Sequence, residues 1–153
     1  MKIVRPGVFE TNSSSSHSMS VGSNSNLFYL ESLANLINSK GEIWIDCDGD
    51  DLESKLRCNS EYRFTGAEEK IGFLATMWNS YAEEVEESYN LDDLKDMVKK
   101  NTDCDKVVIY NMGCVDLDFR AFDSLSLVDT KEELYNLIFD NTKDIVVRYL
   151  SSI

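Results

Sequence analysis

The sequence predicts an α+β fold, with mixed α/β as the nearest variant: a single central sheet of about 4–6 strands covered by about 3–5 helices. Three observations carry that expectation. Two dense β-branched runs, Lys106 to Met112 and Asp144 to Leu150, have the composition of buried strands. One long apolar pattern at helical spacing runs from Ile71 to Val85. Strands and helices then alternate irregularly, without an internal repeat, which argues against regular winding of a parallel sheet. With 153 residues, 42% of them hydrophobic, the chain is expected to form one domain with its own core over residues 1–153.

In chain order, Lys2-Ile3-Val4-Arg5-Pro6-Gly7-Val8-Phe9 reads as a first strand broken at Pro6-Gly7. Ser18-Met19-Ser20-Val21-Gly22 alternates polar and apolar residues, the pattern of a short strand returning beside the first. Ser23 to Asn26 forms a polar turn that caps a helix over Leu27 to Ser39. Leu27, Leu30, Leu33, Ala34 and Ile37 share one face of it, and Lys40-Gly41 closes it. Glu42-Ile43-Trp44-Ile45-Asp46 alternates at period two, which sends Ile43 and Ile45 to one side and Trp44 to the other. Asp50 or Asp51 then caps a short helix through Leu52 and Leu56, and Glu61 to Thr65 is a strand or a loop.

Thr65-Gly66-Ala67-Glu68 has the form of a capping box. It opens the central helix, whose stripe of Ile71, Leu74, Ala75, Trp78, Ala82 and Val85 is widened by Met77 and Tyr81. The acids of Glu83 to Glu87 are the solvated end of that helix, where negative charge opposes the dipole. Asn90 caps a further helix over Leu91 to Lys100, buried through Leu94, Met97 and Val98. Lys106 to Met112 reads as a central strand buried on both faces and ended by Gly113. Beyond it, Val115, Leu117 and Phe119 alternate with acids, the pattern of a strand or else a loop, and Leu125 to Val128 is a short extended segment. Asp129-Thr130 begins a helix with Leu134, Leu137 and Ile138 inward, and Asp144 to Leu150 is the last strand.

Charge restricts function more than fold. Against 15 basic residues stand 28 acidic ones, a formal net charge of −13. Such a surface opposes binding to free DNA, because nonspecific affinity for nucleic acid comes from Lys and Arg neutralising phosphates. Acidity of this kind keeps a small protein soluble, or docks it on a basic protein in place of nucleic acid. No stretch approaches the length of a membrane span, and the N-terminus lacks the apolar segment of a signal peptide, so a cytoplasmic protein is expected. Cys47, Cys58, Cys104 and Cys114 are too widely spaced for a zinc knuckle or a redox pair, and buried free thiols are expected. The acids Asp46, Asp48, Asp50 and Asp51 fail the calcium-loop pattern, since Gly49 precedes the third acid and Arg57 stands where a bidentate Glu is needed. A Mg2+ site there stays open, beside the plainer reading of an acidic turn at a helix start. No phosphate-binding glycine loop occurs, and neither cofactor nor metal is expected elsewhere.

Folding alone does not explain Phe9-Glu10-Thr11-Asn12-Ser13-Ser14-Ser15-Ser16-His17-Ser18. Four consecutive serines bury almost no apolar surface, yet they lie between a strand-like segment and the only histidine of the chain. Three readings follow. Ser, Thr and Asn can bond backbone groups in a compact turn, with His17 an ordinary surface or edge residue. His17 can instead transfer a proton, oriented by Glu10, with Arg5 stabilising a phosphate and Ser16 positioning or attacking the substrate. Thr11, Asn12, Ser13, Ser14 and Ser15 can also bind an anion or a partner's backbone without turnover.

The same block resembles the N-terminal signature of a family of small, largely uncharacterised proteins of bacteria, their phages and mobile elements. A fainter likeness is to phage-encoded antagonists of host defence, the anti-CRISPR proteins, some of which provoke truncation of a guide RNA. These resemblances imply a mobile-element accessory protein of the host cytoplasm that opposes a nucleic-acid-targeting defence system through phosphodiester chemistry at the Ser/His loop. The alternative is a non-catalytic acidic protein that occupies a basic surface of a host effector, its partner being that protein or its bound RNA. The sequence leaves enzyme against binder, and the oligomeric state, undecided.

Overall fold

The computed structural model describes residues 15–24, 32–117, 119 and 127–151. Five strands are present among them: β1 (Ser15–Ser23), β2 (Glu42–Asp46), β3 (Glu61–Phe64), β4 (Lys106–Tyr110) and β5 (Lys143–Ser151). Five helices accompany them: α1 (Gly49–Cys58), α2 (Gly66–Ser80), the single turn α3 (Ala82–Val85), α4 (Leu91–Thr102) and α5 (Lys131–Phe139). The fold is α+β, but the strands divide into two sheets where a single one was expected. β1, β5 and β3 form an antiparallel sheet in that order, and β2 pairs with β4 in parallel.

The division has a readable cause. β5 lies between β1 and β3, and its Ile145, Val146 and Val147 are buried, as a central strand requires. The equally β-branched β4 alternates instead: Val107 and Ile109 face the core, while Lys106 and Tyr110 face solvent. Its expected burial on both faces is therefore corrected to burial on one. Composition marks a strand without naming its neighbours, and β1 pairs with the far end of the chain, His17 opposite Tyr149 and Val21 opposite Ile145. The expected first strand, residues 2–9, lies outside the described residues.

α2 is the hub of the core. Every residue from Gly66 to Met77 is buried except Glu68 and Glu69, so the helix is enclosed almost all round. Lys70 is among the buried side chains, and its Nζ donates to the carbonyls of Leu137 (2.8 Å), Ile138 (3.4 Å) and Asp140 (3.0 Å). These are orphan acceptors at the C-terminal end of α5, so Lys70 caps that helix from another element. Burial pushes its pKa below the ordinary lysine value, against the pull of Asp144 and Asp140.

The expected continuous helix through Val85 breaks at Tyr81, whose φ of −129° and ψ of 48° leave the helical region. The break is held by side-chain bonds to the coil after β4. Tyr81 Oη donates to Leu117 O (2.7 Å) and accepts from Leu117 N (3.0 Å), and Ser80 Oγ accepts from Val115 N (2.9 Å). Among the described residues that coil makes only a single parallel bridge, Phe119 to His17, yet Val115, Leu117 and Phe119 are all buried, so its alternation records burial of an extended chain.

Caps follow the sequence with shifts. Asn90 and Asp93 complete a reciprocal capping box on α4, and Thr130 Oγ1 accepts from Glu133 N (3.1 Å) on α5. At α2, Thr65 is the N-cap, but its backbone N–H bonds Glu69 (3.3 Å) rather than Glu68. α1 is capped at Asp48, two residues before Asp50 and three before Asp51, the expected caps; Asp48 is in the left-handed conformation, and Asp50 and Asp51 fall in the first turn. Of the helix expected over 27–39, residues 27–31 lie outside the described set, and the described part holds only a 3-10 turn, Leu33–Leu36. Asn38 explains the stop: its Oδ1 accepts from Lys40 N (2.9 Å) and Glu42 N (3.0 Å), a local alternative to helical bonding that turns the chain into β2. Among the described residues no helix is long and apolar enough to cross a membrane.

Candidate functional site

Of the N-terminal candidates, Arg5, Glu10, Thr11, Asn12, Ser13 and Ser14 lie outside the described residues. Ser15 and Ser16 are the first two residues of β1, opposite Ser151 and Leu150 of β5. His17 follows them, and it is an interior residue, 2% exposed. Its ring lies between Phe119 (centroids 5.5 Å apart) and Tyr149 (5.1 Å, edge-on). Its Nε2 is 3.1 Å from the carbonyl oxygen of Leu56, in the last turn of α1. A carbonyl only accepts, so the ring carries a proton on Nε2 and donates it to one of the four acceptors a helix end leaves open. His17 does stand on an edge strand, but the ordinary surface imidazole of the plainest reading is corrected to a buried cross-element cap.

A cleft of about 170 Å³ opens elsewhere, at the carboxyl end of β2, between α1, β3 and α2. β2 ends at Asp46, whose Oδ1 accepts from Asp48 N (2.9 Å) and Asn111 Nδ2 (2.9 Å) and is thereby fixed in direction. The turn into α1 needs Gly49, because a side chain there would collide with the Met112 carbonyl; Gly113, at φ 63°, packs against it from the turn after β4. The cleft's apolar wall is aromatic. Phe64 and Phe73 stack with centroids 4.4 Å apart, and Tyr62 lies 5.0 Å from Phe64. Asp46, Asp48, Glu68 and Glu69 also line it, with Lys55 the one cation among its lining residues.

Electrostatics there are out of balance. Lys55 Nζ is 3.8 Å from both Asp48 and Asp51, a loose pairing on an exposed side chain, and lies 6.0 Å from the centroid of the Tyr62 ring. Glu69 is exposed at the rim, yet local desolvation raises its pKa despite the Thr65 N–H bond and the pull of Lys55. Burial, with the Asp46 charge behind it, pushes the Cys47 thiol up to about 12, so it stays protonated and is no nucleophile near neutral pH. Among the described residues no three or more His, Cys, Asp or Glu side chains are grouped to hold a metal ion.

No protein-family model, curated protein or solved structure matches this chain.

The chemistry of the cleft must therefore be read from its own residues. The sequence singled out Asp46 and Asp48 as acids but placed Glu68 in a capping box and Tyr62 in a strand or a loop. Only the packing of α2 across the end of β2 joins them, and the one legible hint was two adjacent acids opening an otherwise buried helix. His17 lines neither this cleft nor the second one described, between β1 and α5.

Proposed function

We propose that this protein is a non-catalytic acidic antagonist, made by a phage or mobile element and acting in the host cytoplasm. It binds a basic, nucleic-acid-handling protein of a host defence system on the surface where that protein holds nucleic acid. The observation that carries the choice of binder over catalyst is the position of His17. General acid-base catalysis needs an imidazole within hydrogen-bond reach of substrate, and here the ring is enclosed by Phe119 and Tyr149, with Nε2 committed to the Leu56 carbonyl. The net charge of −13 supports docking on a basic groove, and the resemblance of the Phe9 to Ser18 block supports the mobile-element setting.

The test is a binding measurement against a basic RNA-guided effector over a range of salt. Affinity should fall steeply as ionic strength rises, since steering between charged surfaces is screened over about 8 Å at physiological salt. Free guide RNA should compete. Binding indifferent to both salt and competing RNA would reject the proposal.

A further inference from the structure

We infer that the outer face of the β2–β4 pair is a contact surface for a second copy of this chain, in a weak dimer whose twofold axis runs along the strands; this stands apart from the docking reading above. Parallel strands occur almost only where both faces of the sheet are covered, because their crossovers lay helices on either side. Here one face is covered. Ile43, Ile45, Val107 and Ile109 are buried in the core, and α2 packs on β2 and α4 on β4. The other face carries Glu42, Trp44 and Asp46 of β2 beside Lys106, Val108 and Tyr110 of β4. Trp44 is 52% exposed and Tyr110 41%, two of the three exposed large hydrophobic side chains among the described residues. Their rings meet edge-on with centroids 5.9 Å apart, and Trp44 Nε1 donates to Glu42 Oε1 at 3.1 Å. The indole is therefore held in place before a partner arrives. Rigid Trp and Tyr side chains lose little entropy on contact and dominate interface energies.

The register names the occupant. Glu42 stands opposite Lys106, Trp44 opposite Val108 and Asp46 opposite Tyr110. A twofold axis parallel to the strands, midway between two such faces, lays β2 of one copy over β4 of the other at the same level. Each row then meets its complement: Glu42 the partner's Lys106, Trp44 the partner's Val108, and Asp46 the partner's Tyr110, whose phenol donates to a carboxylate. Sheets packed face to face keep their strands within about 30° of each other, which this axis satisfies. The other twofold that joins the faces, across the strands, sets Glu42 against the partner's Asp46, carboxylate on carboxylate. Two five-residue strands make a patch only about 17 Å long, so the dimer belongs at the small, weak end of interfaces. The net charge of −13 on each copy opposes it further, but at physiological salt that repulsion is screened over about 8 Å while touching pairs keep their attraction.

The experiment is sedimentation equilibrium of the full-length protein at physiological salt, from micromolar to millimolar concentration. Wild type should pass from monomer to dimer within that range. Trp44→Ala should weaken the dimer about thirtyfold, the scale of an interface hot spot. Glu42→Lys sets a lysine against the partner's Lys106, and Lys106→Glu sets a glutamate against the partner's Glu42. Each variant alone should stay monomeric over the same range while circular dichroism shows it folded. Mixed in equal amounts, the two restore both opposite-charge contacts and should dimerise again, a rescue that misfolding would not reproduce. Wild type monomeric throughout, Trp44→Ala or either charge variant dimerising as well as wild type, or a mixture of the charge variants that stays monomeric would each overturn the inference.

Discussion

Replacing His17 by alanine tests its interior role with a magnitude fixed by its surroundings. The side chain is 2% exposed, lies against two rings and donates to Leu56 O at 3.1 Å. Loss of a buried hydrogen bond costs about 1 kcal/mol net, and truncating a buried ring opens a cavity worth about 2 kcal/mol more. The expected loss is thus about 3 kcal/mol, equivalent to a fall in melting temperature of roughly 6–12 °C for a chain of this size. His17→Phe keeps most of the volume and loses only the donor, so about 1–2 kcal/mol is expected. Urea unfolding followed by circular dichroism measures both, with the slope of the transition unchanged if only stability alters. A loss below about 0.5 kcal/mol for His17→Ala is what an exposed residue gives, and it would refute the reasoning.

Lys70→Met keeps the aliphatic body but leaves the carbonyls of Leu137, Ile138 and Asp140 without their donor, so a loss of about 1–3 kcal/mol in urea unfolding is expected; an unchanged midpoint would show that the α5 end needs no cap. Glu69 has a folded-state pKa above its ordinary value of 4.5, so the native state binds its proton more tightly than the unfolded chain does, and this residue's contribution to stability falls as pH rises from 4.5 through the raised value. Glu69→Gln should therefore be more stable than wild type at neutral pH and indistinguishable from it near pH 4, as read by thermal melts at both; equal melting points at neutral pH would contradict that sign. Burial was expected of all four thiols but holds only for Cys47 and Cys104, so in native protein a thiol reagent should modify the exposed Cys58 and Cys114 and spare the buried pair until denaturant is added. Rapid labelling of Cys47 in the folded state would show that its thiol is neither buried nor held high in pKa.

Periodic and capping signals gave the sequence its legible part. β2 alternates as written, with Ile43 and Ile45 buried and Trp44 exposed, and Asn90 and Thr130 start α4 and α5 where their side chains can accept from the third helical N–H. The stripe behind Thr65 identified the core helix, because burial of Ile71, Leu74 and Ala75 depends on local spacing alone. Its end did not follow from spacing. Tyr81 leaves the helix to bond Leu117, 36 residues away, and only tertiary structure reveals that partner. Strand pairing was hidden for the same reason: β1 and β5 stand at opposite ends of the described chain. At the candidate sites, residue type suggested chemistry without location. His17 had the composition of a catalyst's neighbourhood and the position of a core residue, while Asp46 and Glu69 became one cleft only when α2 packed across the end of β2.

Whether this protein binds or cuts is decided most directly by the fate of the guide RNA. A basic RNA-guided effector, loaded with end-labelled guide, is incubated with wild-type protein and with His17→Phe, at a temperature where circular dichroism shows both to be folded. An acidic binder leaves the guide full-length in every lane, and both proteins block target binding to similar extents. Shortened guide with wild type and intact guide with His17→Phe, a difference of about 10² or more in rate, would place His17 in catalysis and contradict its assignment as a buried cap.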